Sequence, residues 1–322
     1  MIKKIKIFLN CVLFWPFFWL QSNSTKKHVG GQALIEGVMM RSKQNVAWAV
    51  CKIDGTVIVE KMPFISIVKK YKILSLPIIR GFINICESLK IGYKALSRSA
   101  EIASDDSSNS SVKQKNNTKD KIIMFFSFLF ALFVSIAIFM YLPMFVSQLF
   151  FSKTALAFNI SAGIIRIFLF LLYLFLISLL KDIRRVFEFH GAEHKAVFAF
   201  EDNKELTVEN MKPYSTLHPR CGTSFLLMVA IICIFLYSII DSFFITFIAQ
   251  YPNVATRFLV HILLFPIITG ISYEFLKLSD KFQNIFFVKI LILPGLYLQK
   301  ITTKEPNEKQ LEIAATALKA SL

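Results

Sequence analysis

Four side chains able to bind soft or borderline metal ions crowd into one stretch: His190 and His194 in FHGAEHK, His218 and Cys221 in LHPRCGT. Residues four apart on a helix share a face, so His190 and His194 can grip one ion. Imidazole plus thiolate suits zinc, which is tetrahedral and borderline-soft. Glu193 directly precedes His194, and the string reads H-x-x-E-H, the inverted order of one class of zinc peptidases. In those enzymes the two imidazoles hold the metal and the carboxylate is a general base on water. His218 and Cys221 lie in a turn fixed by Pro219 and opened by Gly222, and FAFEDNKELTVENMKPYST between the halves is long enough to fold back. Three ligands leave a position open for chemistry, with Glu193 as base, whereas four close the site as structural zinc. A solvated histidine pair is the plainer reading of an HxxxH string alone. Spacing leaves these alternatives open.

The elements that must position these residues belong to a membrane protein. Of 322 residues, 55% are hydrophobic and 34 are Phe, with mean hydropathy +0.57. That apolar surplus exceeds what a soluble domain buries and must face lipid. The formal net charge of +16 is read as Lys and Arg flanking spans, not as a nucleic-acid surface. Five cysteines, an odd number without CxxC, argue against a disulfide framework. Four spans are predicted: between Lys121 and Lys153 (with Pro143), Leu156–Leu180 (with Arg166 able to snorkel), Ser224–Phe244, and Val254–Tyr273 carrying His261, Pro266 and Gly270. The basic stretches 41–121, 181–220 and 277–320 are expected in the cytoplasm.

Around the spans the chain divides into distinct pieces. Residues 1–27 form an apolar extension. Residues 28–62 form a small β element, with Asp54-Gly55 as a hairpin turn. Residues 63–103 read as an interfacial amphipathic helix, Phe82, Ile85, Leu89, Tyr93 and Leu96 forming its apolar stripe and Glu87 lying on its polar side. The polar run 104–120 is a linker. Then come a transmembrane hairpin over 121–180, the metal-site loop 181–222, and a second hairpin over 223–279. The final piece, 280–322, is a re-entrant or interfacial segment, broken by Lys289, Pro294 and Gly295, followed by a tail. Glu36 and Arg41 are candidates for a site or for an ion pair in a turn. His261 is an intramembrane ionisable group, hence a functional candidate.

The motifs GGQALIEGVMMR, RGFINICESLKIGYKAL, DIRRVFEFHGAEHKAVFAFE, LTVEN, LHPRCGTSF and LQKITTKEPNEKQLEIAATALKA together resemble the YqhQ-like family of bacterial membrane proteins, from about Gly30 to Lys319. The resemblance implies a metal-dependent enzyme, with the HGAEHK motif on His190–Lys195 and the HPRCGT motif on His218–Thr223, and it names no substrate. The expected fold is an all-α polytopic membrane protein of about four transmembrane helices with a small N-terminal cytoplasmic β element and a cytoplasmic helical loop. The expected location is the bacterial inner membrane, multi-pass, with the metal-site loop and C-terminus cytoplasmic. The expected cofactor is a divalent metal, zinc foremost, held by His190, His194, His218 and Cys221. The expected activity is hydrolysis at the cytoplasmic face, on a lipid-linked or peptide substrate, with the lipid bilayer as partner and no nucleic acid. The alternative is a scaffold or assembly factor with structural zinc. A transporter with His261 and Glu274 in its path ranks third, its signature being inverted repeats.

Overall fold

A computed structural model of the chain describes residues 29–104, 126–151 apart from 128 and 132, 156–219, 221–282 and 286–322. The 1–27 extension and nearly all of the 104–120 linker lie outside the described residues. Four helices are long and apolar enough to cross a bilayer: Leu129–Phe150, Ala157–Ser178, Leu227–Phe247 and Ala255–Ser279. They fall on the four predicted spans. A helix suits lipid because it satisfies its own backbone polar groups. Were all four to cross, the stretches before the first span, between the second and third, and after the fourth would lie on one side of the membrane.

The first span shows how local chemistry is repaired in this setting. A π-helical turn over Ala137–Tyr141 runs into α2 (Leu142–Phe150), where Pro143 lies in the first turn. Proline has no N–H to offer the carbonyl four residues back, which is Phe139. Arg166 of α3 (Leu156–Ser178) donates from Nε to that carbonyl at 2.9 Å. Arg166 is therefore spent on a backbone acceptor inside the bundle.

The near-side domain is a four-stranded antiparallel meander in the order β1 (Gly30–Leu34), β2 (Gly37–Arg41), β3 (Asn45–Cys51) and β4 (Val57–Pro63). The predicted hairpin is the β3–β4 pair, with Cys51 opposite Val57. In its turn Asp54 Oδ1 accepts from the Thr56 amide and hydroxyl at 2.8 and 2.7 Å, and Gly55 takes φ 88°. The segment QALIEGVMMR supplies a second hairpin, β1–β2, which the sequence reading left unassigned.

Helices cover both faces of the sheet. Val38, Met40, Ala49 and Cys51 pack against Phe189, Ala192 and Ala196 of α4 (Lys181–Glu201) and against Leu311, Ala314 and Leu318 of α8 (Glu308–Ser321). Met39, Val46, Trp48 and Val50 pack against Ile91, Ala95 and Ile102 of α1 (Ile79–Ser104). β3 is covered on both sides, so its sequence is apolar almost throughout rather than alternating.

Helix α1 differs from the expected 63–103 helix in two ways. It begins at Ile79, because Pro77 and Ile78, the latter at φ 72°, interrupt any earlier helix. The face it buries carries Ile91, Ala95 and Ile102, while Leu89 and Tyr93 of the expected stripe are 67% and 71% exposed. Glu87 is buried, not on a polar side. It accepts from Ser66 Oγ at 2.7 Å and from the Ile67 amide at 2.6 Å, fixing the short helix Ile67–Lys70. The sheet supplied a stronger partner than the stripe's own periodicity suggested.

Further helices follow among the described residues. Helix α7 (Phe286–Thr302) contains Pro294 and packs on α5 (Gly222–Phe247) and α3. The expected tail is α8, opened by a capping box between Asn307 and Gln310 and buried along one face. Helix α6 (Val254–Lys281) carries the fourth span, and Arg80 of α1 pairs with its Glu274 through two contacts of 2.5 Å.

Candidate metal centre

One turn of α4 carries the chemistry. His190 and His194 stack on the same face with ring centroids 4.5 Å apart, and both are buried. Cys221, immediately before α5, brings its Sγ to 3.1 Å from His190 Nε2. One donor atom from each of His190, His194 and Cys221 lies within 4.8 Å of the other two. A tetrahedral ion with metal–N near 2.0 Å and metal–S near 2.3 Å spaces two N and one S donor about 3.3–3.5 Å apart, so the His190 Nε2–Cys221 Sγ pair at 3.1 Å must open slightly and any wider pair must close.

The ring tautomers are set from outside the trio. His190 Nδ1 is 2.7 Å from the Thr302 carbonyl, and His194 Nδ1 bonds the Thr216 carbonyl. A carbonyl only accepts, so both protons must sit on Nδ1 and both Nε2 lone pairs remain available. His194 Nε2 is buried without a hydrogen-bond partner. A buried imidazole nitrogen without a partner is costly. A cation restores that loss, and Nδ1–H to a carbonyl is the usual support for a ligating histidine. Burial pushes His194 below the ordinary imidazole range, with the Cys221 thiol opposing, so the neutral, ligating form is favoured.

The cradle depends on a close approach. Lys304 donates its amide to the Phe187 carbonyl at 2.9 Å, laying the α7–α8 connection across α4. A Cβ at Gly191 would strike the Lys304 carbonyl. Glycine there lets Thr302 reach His190.

Glu193 lies beside the trio, its Oε2 4.0 Å from His190 Nε2. It is 6% exposed, and burial pushes its carboxyl up, opposed by His190 and by the Gly31 amide that donates to it. His218 stands one ring further out, its centroid 5.6 Å from that of His194 and 4.4 Å from that of Phe198. Gln299 holds its backbone at both ends, accepting from the His218 amide and donating to its carbonyl, each at 2.7 Å. The His218 Nε2 is 3.8 Å from Glu201 Oε2. Of the four expected ligands, three converge and His218 adjoins them.

The other candidates have partners. Glu36 pairs with Arg185 of α4 at 2.6 Å. His261 Nε2 bonds Asp241 Oδ1 at 2.9 Å, and Glu274 is held by Arg80. The sequence reading missed Gln299, Gly31 and the carbonyls of Thr216 and Thr302. A polar Gln in an apolar helix was a usable signal for the first; a backbone carbonyl leaves none.

The arrangement defines a multi-pass membrane protein with a His-His-Cys metal-type cluster against a buried carboxylate at one end of its bundle. The chain belongs to the family described as "Protein of unknown function (DUF1385)", which matches residues 76–322. It is 34% identical over 302 residues to "Uncharacterized protein YqhQ" of Bacillus subtilis (strain 168), covering 88% of this chain and 89% of that protein. The YqhQ-like resemblance in the motifs thus holds over most of the chain. No solved structure matches it.

Proposed function

We propose that this protein is a metal-dependent hydrolase of the bacterial inner membrane, working at the cytoplasmic face. His190, His194 and Cys221 are the ligands, with His218 able to close a fourth position. Zinc is the metal that two imidazoles and a thiolate favour. The cytoplasmic assignment rests on the Lys and Arg richness of the domain-bearing side.

The observation that carries the reading is the orphaned His194 Nε2, aimed with His190 Nε2 toward the Cys221 thiol while both Nδ1 atoms are engaged elsewhere. A bound divalent ion supplies Lewis acidity and makes water a nucleophile near neutral pH. The chain's own part is to orient and to move the proton. Glu193 takes a proton from water at its Oε2, and the Gly31 amide keeps that carboxylate in place. The Thr302 and Thr216 carbonyls hold the rings from turning. The surrounding apolar core, including Phe189 and Ala192, limits entry of bulk water.

Metal content of the purified full chain tests the ligand set. Wild type should carry close to one equivalent, and the His190→Ala, His194→Ala double variant close to none. Glu193→Gln should keep its metal yet fail to restore function in cells lacking the protein. If Glu193→Gln restores function fully, the centre is structural zinc in a scaffold, the reading that the nearness of His218 favours.

A further inference from the structure

A second feature lies on the other side of Gly31 from Glu193. A cleft of about 480 Å³ opens between β1, β2, α1 and the segment before α1. Its lining includes three cationic side chains, Arg41, Lys43 and Lys69, with Ser66 and Ser88 between them and no carboxylate. Arg41 is held over the Phe64 ring at 4.1 Å and leans on Ser88 Oγ at 3.5 Å. Its guanidinium makes no ion pair among the described residues. The nearest carboxylate acting on it, Glu87, is committed to Ser66 and the Ile67 amide. Burial disfavours the Arg41 charge, so an anion in the cleft restores what desolvation removes.

The segment 67–76, which follows the cleft-lining Ser66 and carries the cleft-lining Lys69, leads into the helix that is paired with the fourth span. Arg80, at the start of α1, pairs with Glu274 in the last turns of the fourth span, which sets that level at the bilayer edge. Just before it, Ile67, Tyr71, Ile73 and Leu76 are 48%, 53%, 72% and 50% exposed, interleaved with Lys69, Lys70 and Lys72. Exposed apolar side chains among lysines beside a span are the chemistry of the headgroup layer.

Gly31 joins the cleft to the candidate metal centre. It lines the cleft, and its amide donates to Glu193. A Cβ at Gly31 would meet Glu193 Cγ at 2.8 Å. Gly31 therefore stands between the cleft and the Glu193 side chain.

We infer that this cleft binds the phosphate headgroup of an anionic phospholipid drawn from the adjoining leaflet, and that such a lipid is the substrate class. The substrate part rests on the hydrolase reading above; the binding part does not. Arg41 supplies a two-pronged contact to phosphate, Lys43 and Lys69 supply point charges at the rim, and the acyl chains stay in the membrane beside Ile73 and Leu76.

The test uses the full-length protein in neutral detergent, with dihexanoyl phosphatidic acid as probe, read by native mass spectrometry and calorimetry. Wild type should bind it at least about tenfold more tightly than dihexanoyl phosphatidylcholine, glycerol 3-phosphate or inorganic phosphate. Arg41→Gln should weaken binding about tenfold or more, and so should Lys69→Glu, an exposed position whose change leaves folding intact. Both variants should retain metal. Unchanged binding by Lys69→Glu and Arg41→Gln overturns the proposal. Inorganic phosphate binding as tightly as the lipid overturns the lipid assignment. The His190→Ala, His194→Ala variant separates the two readings: it should bind the lipid like wild type whatever its metal content. A wild type that binds lipid but no metal sinks the hydrolase and keeps the cleft, while a metal-loaded wild type that ignores the lipid does the reverse.

Discussion

At the far end of the bundle Asp241 is wholly buried, and each strong group around it is bonded. Arg257 Nε and His261 Nε2 each reach it at 2.9 Å, Tyr251 Oη bonds it at 3.0 Å, and Arg257 Nη2, which also contacts Asp241, donates to Asn159 Oδ1 at 2.5 Å. At the near end His190, His194 and Cys221 are just as buried, yet the Nε2 of His194 has no partner and the donors face one another. Cys221 and Asp241 are both on or beside α5, twenty positions apart, which is roughly 30 Å along a helix. Both ends hold histidine among ionisable neighbours. One saturates its polar atoms internally, which is the behaviour of a clamp. The other brings like donors together, which is the arrangement of a potential metal-coordinating cluster.

That contrast breaks most visibly at the clamp. Asp241→Ala strands Arg257, 2% exposed, without a counter-charge, and should cost about 3–5 kcal/mol in thermal unfolding in detergent. The Asp241→Leu, Arg257→Leu pair should recover most of it. Metal per folded chain should not change in either, and a loss of metal would show that the two ends are coupled. A smaller effect is expected beside the proposed ligands. Gly191→Ala forces the Lys304 carbonyl away and should cost about 1–3 kcal/mol, with weakened metal binding measured by competition with a chelator. Metal affinity equal to wild type would mean the Thr302 contact does not support His190. The smallest effect lies outside both ends. Hydrogen bonds from Arg98 hold Glu60 below the usual carboxylate range. Its folded value is depressed, so its contribution is present above the ordinary range and is lost as pH falls through the depressed one. Glu60→Gln should remove that acid-side slope and cost no more than about 0.5 kcal/mol, because the pair is solvated.

The spans were legible because lipid demands one simple thing, a long run without charge. The β3–β4 turn was legible because Asp54, Gly55 and Thr56 make it locally. The β1–β2 turn was not. It places Glu36, a non-glycine, at φ 54° and is held from outside, by the Cys51 amide on its carbonyl at 2.8 Å and by Arg185. Helix α8 carried a readable start in NEKQ, whose Asn307 and Gln310 cap it, but its buried face has meaning only against the sheet. At the site, the i, i+4 spacing placed His190, Glu193 and His194 together. Loop residues carry no such ruler. Gln299 pins His218 while the turn after it delivers Cys221 to His190, and that choice is made by a helix some eighty residues later in the chain.

Ser321 near the end of α8 offers its carbonyl to Ser42 Oγ at 2.7 Å and to Asn45 Nδ2 at 3.3 Å, closing the last helix onto the first sheet. A ribosome makes β3 long before α8, so one side of the sheet stays uncovered for roughly tens of seconds while the spans are inserted. Thr302 likewise arrives late to orient His190.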